Sequence, residues 1–231
     1  MRIVFVRHGE PDYARDCLTA LGRAQAEAAA LRLKEEGIRE IWSSPLGRAQ
    51  ETAQAASRAL GLPVRTLDFM QELSWGSTDG TELIGGGHPW AIVFEMARQG
   101  MDLNDPHWQE LPYFRTNRLL DCIRRVESGI DEWLEQYGYV REGIYYRHTQ
   151  EEREERTVAL FSHGGSSSAA MGHILNLRFP CACAMLHIDH TGITVVQMES
   201  RIGGGTLSRL TLTNDARHIR GIKPSGNAPV Q

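Results

Sequence analysis

Two short segments of this 231-residue chain end in the same pair of residues, and both pairs have the chemistry of a reaction centre. Val4-Phe5-Val6 runs into Arg7-His8-Gly9-Glu10, and Val158-Ala159-Leu160-Phe161-Ser162 runs into His163-Gly164-Gly165-Ser166. Each apolar, β-branched run is short enough to be a buried strand, and each stops abruptly at an imidazole followed by glycine. In open α/β sheets, ligands bind beyond the carboxyl ends of the strands. Arg7 and His8 therefore stand where a site is expected. One such ending is compatible with a satisfied core histidine; two are not easily read as two unrelated ones. An imidazole is a nucleophile or proton carrier near neutral pH, and an arginine beside it suits an anionic substrate.

The elements that must position these groups follow in order. After a loop from Pro11 to Leu18, Thr19 reads as an N-cap, and Leu21, Ala24, Ala28, Leu31 and Glu35 form a helical stripe ending at Gly37. Ile38 to Trp42 reads as a second strand. In Ser43-Ser44-Pro45, Ser44 is expected to cap the next helix, with proline in its first turn. Arg48 then lies near a helix N-terminus, unfavourably placed against the helix dipole unless an anion is held between it and the free amides. That helix closes at Gly61-Leu62-Pro63, and Val64 to Thr66 gives a short strand. Glu72 lies in an irregular stretch among apolar and aromatic neighbours, where its carboxyl is either a solvated loop group or an acid with a raised pKa.

Residues 81–156 break the strand-helix alternation and read as an inserted cap. Breakers and aromatics (Trp90, His107, Trp108, Tyr113) surround one amphipathic helix carrying Leu119, Leu120, Ile123, Val126, Ile130, Trp133, Leu134 and Tyr137, closed by Gly138. Tyr139 to Arg147 reads as a β-hairpin, and the charge run Glu151 to Arg156 as a solvated face. Beyond His163, the helix from Ser166 to Leu175 has small first residues that leave amides free for an anion. Ala184 to Asp189, Gly192 to Glu199 and Thr206 to Leu212 are expected to be antiparallel strands, followed by a frayed tail from Arg220. On a strand, His187 and His190 would point to opposite faces, a poor chelate, so no metal is assigned.

The net charge of −4 argues against nucleic acid or an anionic membrane as partner. No apolar run approaches the 18 residues of a membrane span, nothing resembles a signal peptide, and cytoplasm is the expected location. Cys17, Cys122, Cys181 and Cys183 are scattered and read as reduced thiols, the close pair lying on an apolar strand.

Taken together, Arg7-His8-Gly9-Glu10, Leu18-Thr19 with Gly22 and Gln25-Ala26, Ser43-Ser44-Pro45-Leu46 with Arg48-Ala49 and Thr52-Ala53, Glu72-Leu73, and Ser162-His163-Gly164-Gly165 resemble the motifs of the histidine phosphatase superfamily, the phosphoglycerate-mutase-like proteins. The resemblance covers most of the chain, with the motifs in order. It implies a single domain over residues 1–231: a three-layer α/β/α sandwich around a mostly parallel sheet with an antiparallel edge, carrying a mainly helical cap at about 81–156. It implies His8 as nucleophile, with Arg7, Arg48 and His163 around the phosphoryl oxygens, Gly164 among the substrate-binding positions and Glu72 as acid and base. The expected activity is that of a histidine acid-phosphatase-type phosphomonoesterase acting on a small phosphate ester through a phosphohistidine, with no cofactor; a homodimer is left open. A phosphoglycerate-type mutase and a silent phosphate-binding protein remain as alternatives. Two departures from the pattern are visible: Pro11-Asp12-Tyr13 replaces the usual rim donors, and no arginine follows Glu72, which weakens the mutase reading.

Overall fold

A computed structural model describes residues 1–149, 156–200 and 205–222. Its centre is β1 (Arg2–Arg7), with β2 (Pro11–Asp12) and β3 (Cys17–Leu18) forming a small hairpin directly after it. There follow α1 (Ala20–Leu33), β4 (Glu40–Ser43), α2 (Gly47–Leu60) and β5 (Val64–Thr66). Then come α3 (Pro89–Arg98), α4 (Pro112–Arg115), α5 (Leu119–Glu135), β6 (Tyr139–Glu142) and β7 (Tyr145–His148). The chain continues with β8 (Thr157–Ser162), α6 (Gly164–Leu175), α7 (Phe179–Met185), β9 (Ile193–Ser200) and β10 (Gly205–Asp215).

The main sheet has the order β5-β4-β8-β1-β9-β10-β7-β6. Strands β5, β4, β8 and β1 are parallel, and β9, β10, β7 and β6 continue the sheet antiparallel. Side chains of a strand alternate between faces, so β1 and β8 build two cores. Ile3, Phe5, Val158 and Leu160 join α3, α5, α6 and α7 on one side. Val4, Val6, Ala159 and Phe161 join α1 and α2 on the other. This is the three-layer α/β sandwich.

Pairing of β1 with β8 sets Arg7 opposite Ser162, which brings the two following histidines to the same carboxyl edge. The extension is tied by His8 N–H donating to Ser162 O over 2.9 Å, and by Ser44 N–H donating to Phe161 O over 2.8 Å.

Segment 81–156 does three things. Helix α5 buries the whole expected stripe from Leu119 to Leu134 in the main core, because its apolar positions recur at helical spacing on one face. The β6–β7 hairpin extends the sheet through β10. Helix α3 packs on α7 and carries Trp90 toward the carboxyl edge.

Several local expectations are corrected. Helix α1 buries Gly22, Gln25, Ala26, Ala29, Ala30 and Leu33, leaving Leu31 63% exposed. Alanine occurs all round this helix, so its periodicity is uninformative; its rotation goes with Gln25, whose Oε1 accepts the Glu10 N–H at 2.8 Å. Helix α2 begins at Gly47, two residues later than Pro45 suggests. Residues 179–185, including Cys181 and Cys183, form a helix with proline in its first turn, where a strand from Ala184 was expected. All four cysteines are free. The charge run lies outside the described residues except for Arg156, as does the tail beyond Ile222. Among the described residues no helix is long and apolar enough to cross a membrane.

Candidate active site

His8 is buried at the end of β1, and its Nδ1 lies 2.7 Å from Gly9 O. A carbonyl only accepts, so Nδ1 carries the proton and the lone pair is on Nε2. Burial lowers the His8 pKa to about 3; the hydrogen bond to Gly9 opposes it, and the charges of Arg7 and Arg48 add to the lowering. The imidazole is therefore neutral at physiological pH. Its ring centroid lies 5.1 Å from that of His163, which is also buried and held well below its ordinary pKa by desolvation.

Around His8 the cations differ in how they are held. Arg48, on the first turn of α2, donates from Nε to His8 Nε2 at 3.3 Å and from Nη1 to Asp16 Oδ1 at 2.5 Å. Asp16 Oδ2 accepts the Gly47 N–H at 2.7 Å. The anion expected between Arg48 and the amides of α2 is thus the protein's own Asp16, which caps the helix and offsets the guanidinium at once. The Arg7 Nη1 donates to Ile188 O at 3.0 Å, while its buried Nε has no partner among the described residues. His163 Nε2 is 2.8 Å from Ser44 Oγ, and its Nδ1 is likewise buried without a partner among those residues. Ser44, expected to cap α2 alone, therefore orients a site histidine.

Glu72 meets the start of α6. Its Oε1 accepts from Leu73 N–H at 2.9 Å and Ser166 N–H at 3.0 Å, and its Oε2 accepts from Gly165 N–H at 3.4 Å. The amides expected to receive an external anion are taken by this carboxyl. Desolvation raises its pKa, and the amide bonds and Arg7 only partly oppose it. A Cβ at position 165 would stand 2.7 Å from Glu72 Oε1, so glycine is what lets the carboxyl reach the helix. Gly164 lies between Arg7 and the ring of Trp90.

One member of the site was not picked out by sequence reasoning. His190 lies between α7 and β9, not on a strand, and its ring centroid is 5.7 Å from that of His8. Burial, then the charge of Arg7, lowers its pKa to about 4, and its Nε2 is buried with no partner among the described residues. The only sequence signal was the Leu-His-Ile-Asp-His run. His187 faces outward and contacts Asp189 instead. Among the described residues no group of three or more His, Cys, Asp or Glu is arranged to hold a metal.

Three imidazoles and two guanidiniums at the carboxyl edge of a parallel sheet, with a protonatable carboxyl held against the start of the neighbouring helix, define an α/β protein suited to handling a phosphoryl group. The chain belongs to the histidine phosphatase superfamily (branch 1), which it matches over residues 3–211. It is 25% identical over 228 residues to a Hydrogenobacter thermophilus protein provisionally named phosphoserine phosphatase 2, covering 95% of this chain and 98% of that one. A provisionally named phosphoglycerate mutase, GpmB, of Yersinia enterocolitica is 36% identical over 85 residues, which span 33% of this chain and 40% of that one. A mycobacterial glucosyl-3-phosphoglycerate phosphatase, solved with VO3, superposes with a TM-score of 0.60 at 25% identity, covering 92% of this chain and 98% of that one.

Proposed function

We propose that this chain is a metal-independent phosphomonoesterase of the histidine acid-phosphatase type, acting on a small phosphorylated metabolite through a phosphohistidine at His8. The observation that carries the proposal is the state of His8: a neutral imidazole whose Nε2 lone pair faces Arg48, beside Arg7 and His163. Such a nitrogen attacks phosphorus without a base or metal to activate it. Family membership and the phosphatase names of similar proteins support hydrolysis.

In the first step the Nε2 lone pair forms the N–P bond as the P–O bond to the alcohol breaks. Glu72, whose hold on a proton burial strengthens, gives that proton to the departing alkoxide. Positive charge growing on the ring is offset at Nδ1–H by the Gly9 carbonyl. Arg7, Arg48 and His163 bind the equatorial oxygens, where donors aimed at developing charge contribute most. In the second step Glu72, now ionised, takes a proton from water. The water oxygen bonds to phosphorus, the N–P bond breaks, and phosphate leaves with His8 neutral again. Each half-reaction leaves Glu72 in the state that the next requires. Within residues 81–156, α3 faces the mouth and serves as its cap, while α5 and the β6–β7 hairpin belong to the body of this single domain.

The test is turnover in ¹⁸O-enriched water. Label is expected in inorganic phosphate at the rate of substrate loss, and 3-phosphoglycerate is expected to be hydrolysed rather than isomerised, even with a bisphosphoglycerate primer. Isomerisation tenfold faster than phosphate release would establish a mutase. Folded protein inert toward every phosphomonoester would establish a binding protein.

A further inference from the structure

The mouth of the site is continuous with a strip of three rings. The Cη2 edge of Trp90 and the Cζ of Arg7 lie 3.4 and 3.8 Å from the point that a Cβ on Gly164 would occupy, so the indole edge and the guanidinium both come within van der Waals reach of the first residue of α6. From Trp90 the strip continues to His88, with ring centroids 5.6 Å apart, and from His88 to Trp75, 4.6 Å away with the rings edge to face. Trp90 and His88 are half-buried and Trp75 is exposed, so the strip leads from the phosphoryl site toward solvent. Burial lowers the His88 pKa, which keeps its ring neutral.

The strip is built rather than incidental. Trp75 and His88 come from separate loops, and buried Asn117 fastens both: its Oδ1 accepts the Gly76 N–H at 3.0 Å, and its Nδ2 donates to Gly87 O at 2.9 Å. Trp90 is fixed by α3, whose buried face joins the main core. At the outer end the Arg118 guanidinium lies beside Gly76 and offers a further flat surface.

We infer that this strip is the leaving-group subsite, and that the preferred substrates are phosphomonoesters whose alcohol carries an aromatic or heteroaromatic ring. This rests on the phosphomonoesterase reading above. With phosphoryl oxygens on Arg7, the next atoms of the ester reach Trp90, where a planar ring gains stacking that a short acyclic chain cannot. Arg48 is already paired with Asp16, so its charge is partly offset before a substrate carboxylate could use it.

The experiment compares 2-phenylethyl phosphate with n-butyl phosphate, both esters of primary alcohols, so that intrinsic leaving ability is matched. Wild type is expected to prefer the phenyl ester by about tenfold or more in kcat/KM, the factor that ~1.4 kcal/mol of stacking gives. Trp90→Ala is expected to bring the ratio below threefold, Trp90→Phe to retain most of it, and Trp75→Ala, at an exposed position, to lower it by a smaller factor. Equal use of the two esters by wild type, or a preference surviving Trp90→Ala, would overturn the inference. Hydrolysis of neither ester would count against the phosphatase reading, and the subsite is then decided by tryptophan fluorescence titration with 2-phenylethylphosphonate and n-butylphosphonate. Tenfold tighter binding of the former, lost in Trp90→Ala, supports it; equal binding overturns it.

Discussion

Arg48 Nε donates to the Nε2 lone pair of His8 at 3.3 Å while Asp16 holds the other end of the same guanidinium, so the nucleophile and a phosphate donor are pre-aligned through one hydrogen bond. A phosphoryl group entering between them replaces that contact with bonds from both residues. Asp16 keeps the guanidinium in place throughout.

Arg48→Ala is therefore expected to lower kcat/KM by about 10²–10³, the scale for losing one preorganised donor. Lysine should restore only part, because a point charge lacks the fork. Asp16→Ala should cost about tenfold by freeing Arg48, and Asp16→Asn less, since an amide oxygen still accepts from Gly47. Steady-state kinetics on the four variants checks this; an unchanged Arg48→Ala would remove it from the site.

The phosphoryl group is expected on His8 alone. Mass spectrometry after an alkaline quench should find it on the peptide containing His8 and find none in His8→Ala. Label retained in that variant would refute the assignment.

His8 should remain neutral far below the ordinary histidine range. In phosphate-free buffer, NMR of ring-labelled protein should show its imidazole unprotonated at pH 5, with its pKa near 3. The stability consequence has a definite sign. The unfolded chain protonates this group near pH 6.5 while the fold resists, so stability should fall as pH drops from about 6.5 toward 3. His163 and His190, also depressed, add to the fall. Thermal unfolding from pH 7 to 4 should show a declining Tm, with a shallower decline in His8→Asn.

Gly165→Ala would place a methyl 2.7 Å from Glu72 Oε1 and 3.0 Å from Leu73 Cδ1. The carboxyl must move off the helix, and kcat should drop by about 10² or more, as for loss of a general acid-base group. Circular dichroism should show the fold retained. Wild-type turnover in this variant would mean that Glu72 does not act from that position.

What the sequence determined by itself was local. The apolar runs ending at His8 and His163, the α5 stripe from Leu119 to Leu134, the Thr19 cap and the Gly61 stop are written in adjacent residues, whose spacing fixes each element before any partner is present. Local setting had already marked Arg48 and Glu72 as candidates, and the motif resemblance gave them roles without saying what would hold them. Tertiary structure decided the rest. Asp16 reaches Gly47 and Arg48 across about thirty residues of chain, Glu72 reaches the α6 amides across more than ninety, and His190 approaches His8 because β9 pairs with β1. Hydrogen bonds and ring contacts over such separations leave no periodic trace in the sequence. They exist only once the sheet register has brought the strand ends together. For the same reason the helix N-termini that seemed open to an external anion proved to be filled by the protein's own carboxyl groups.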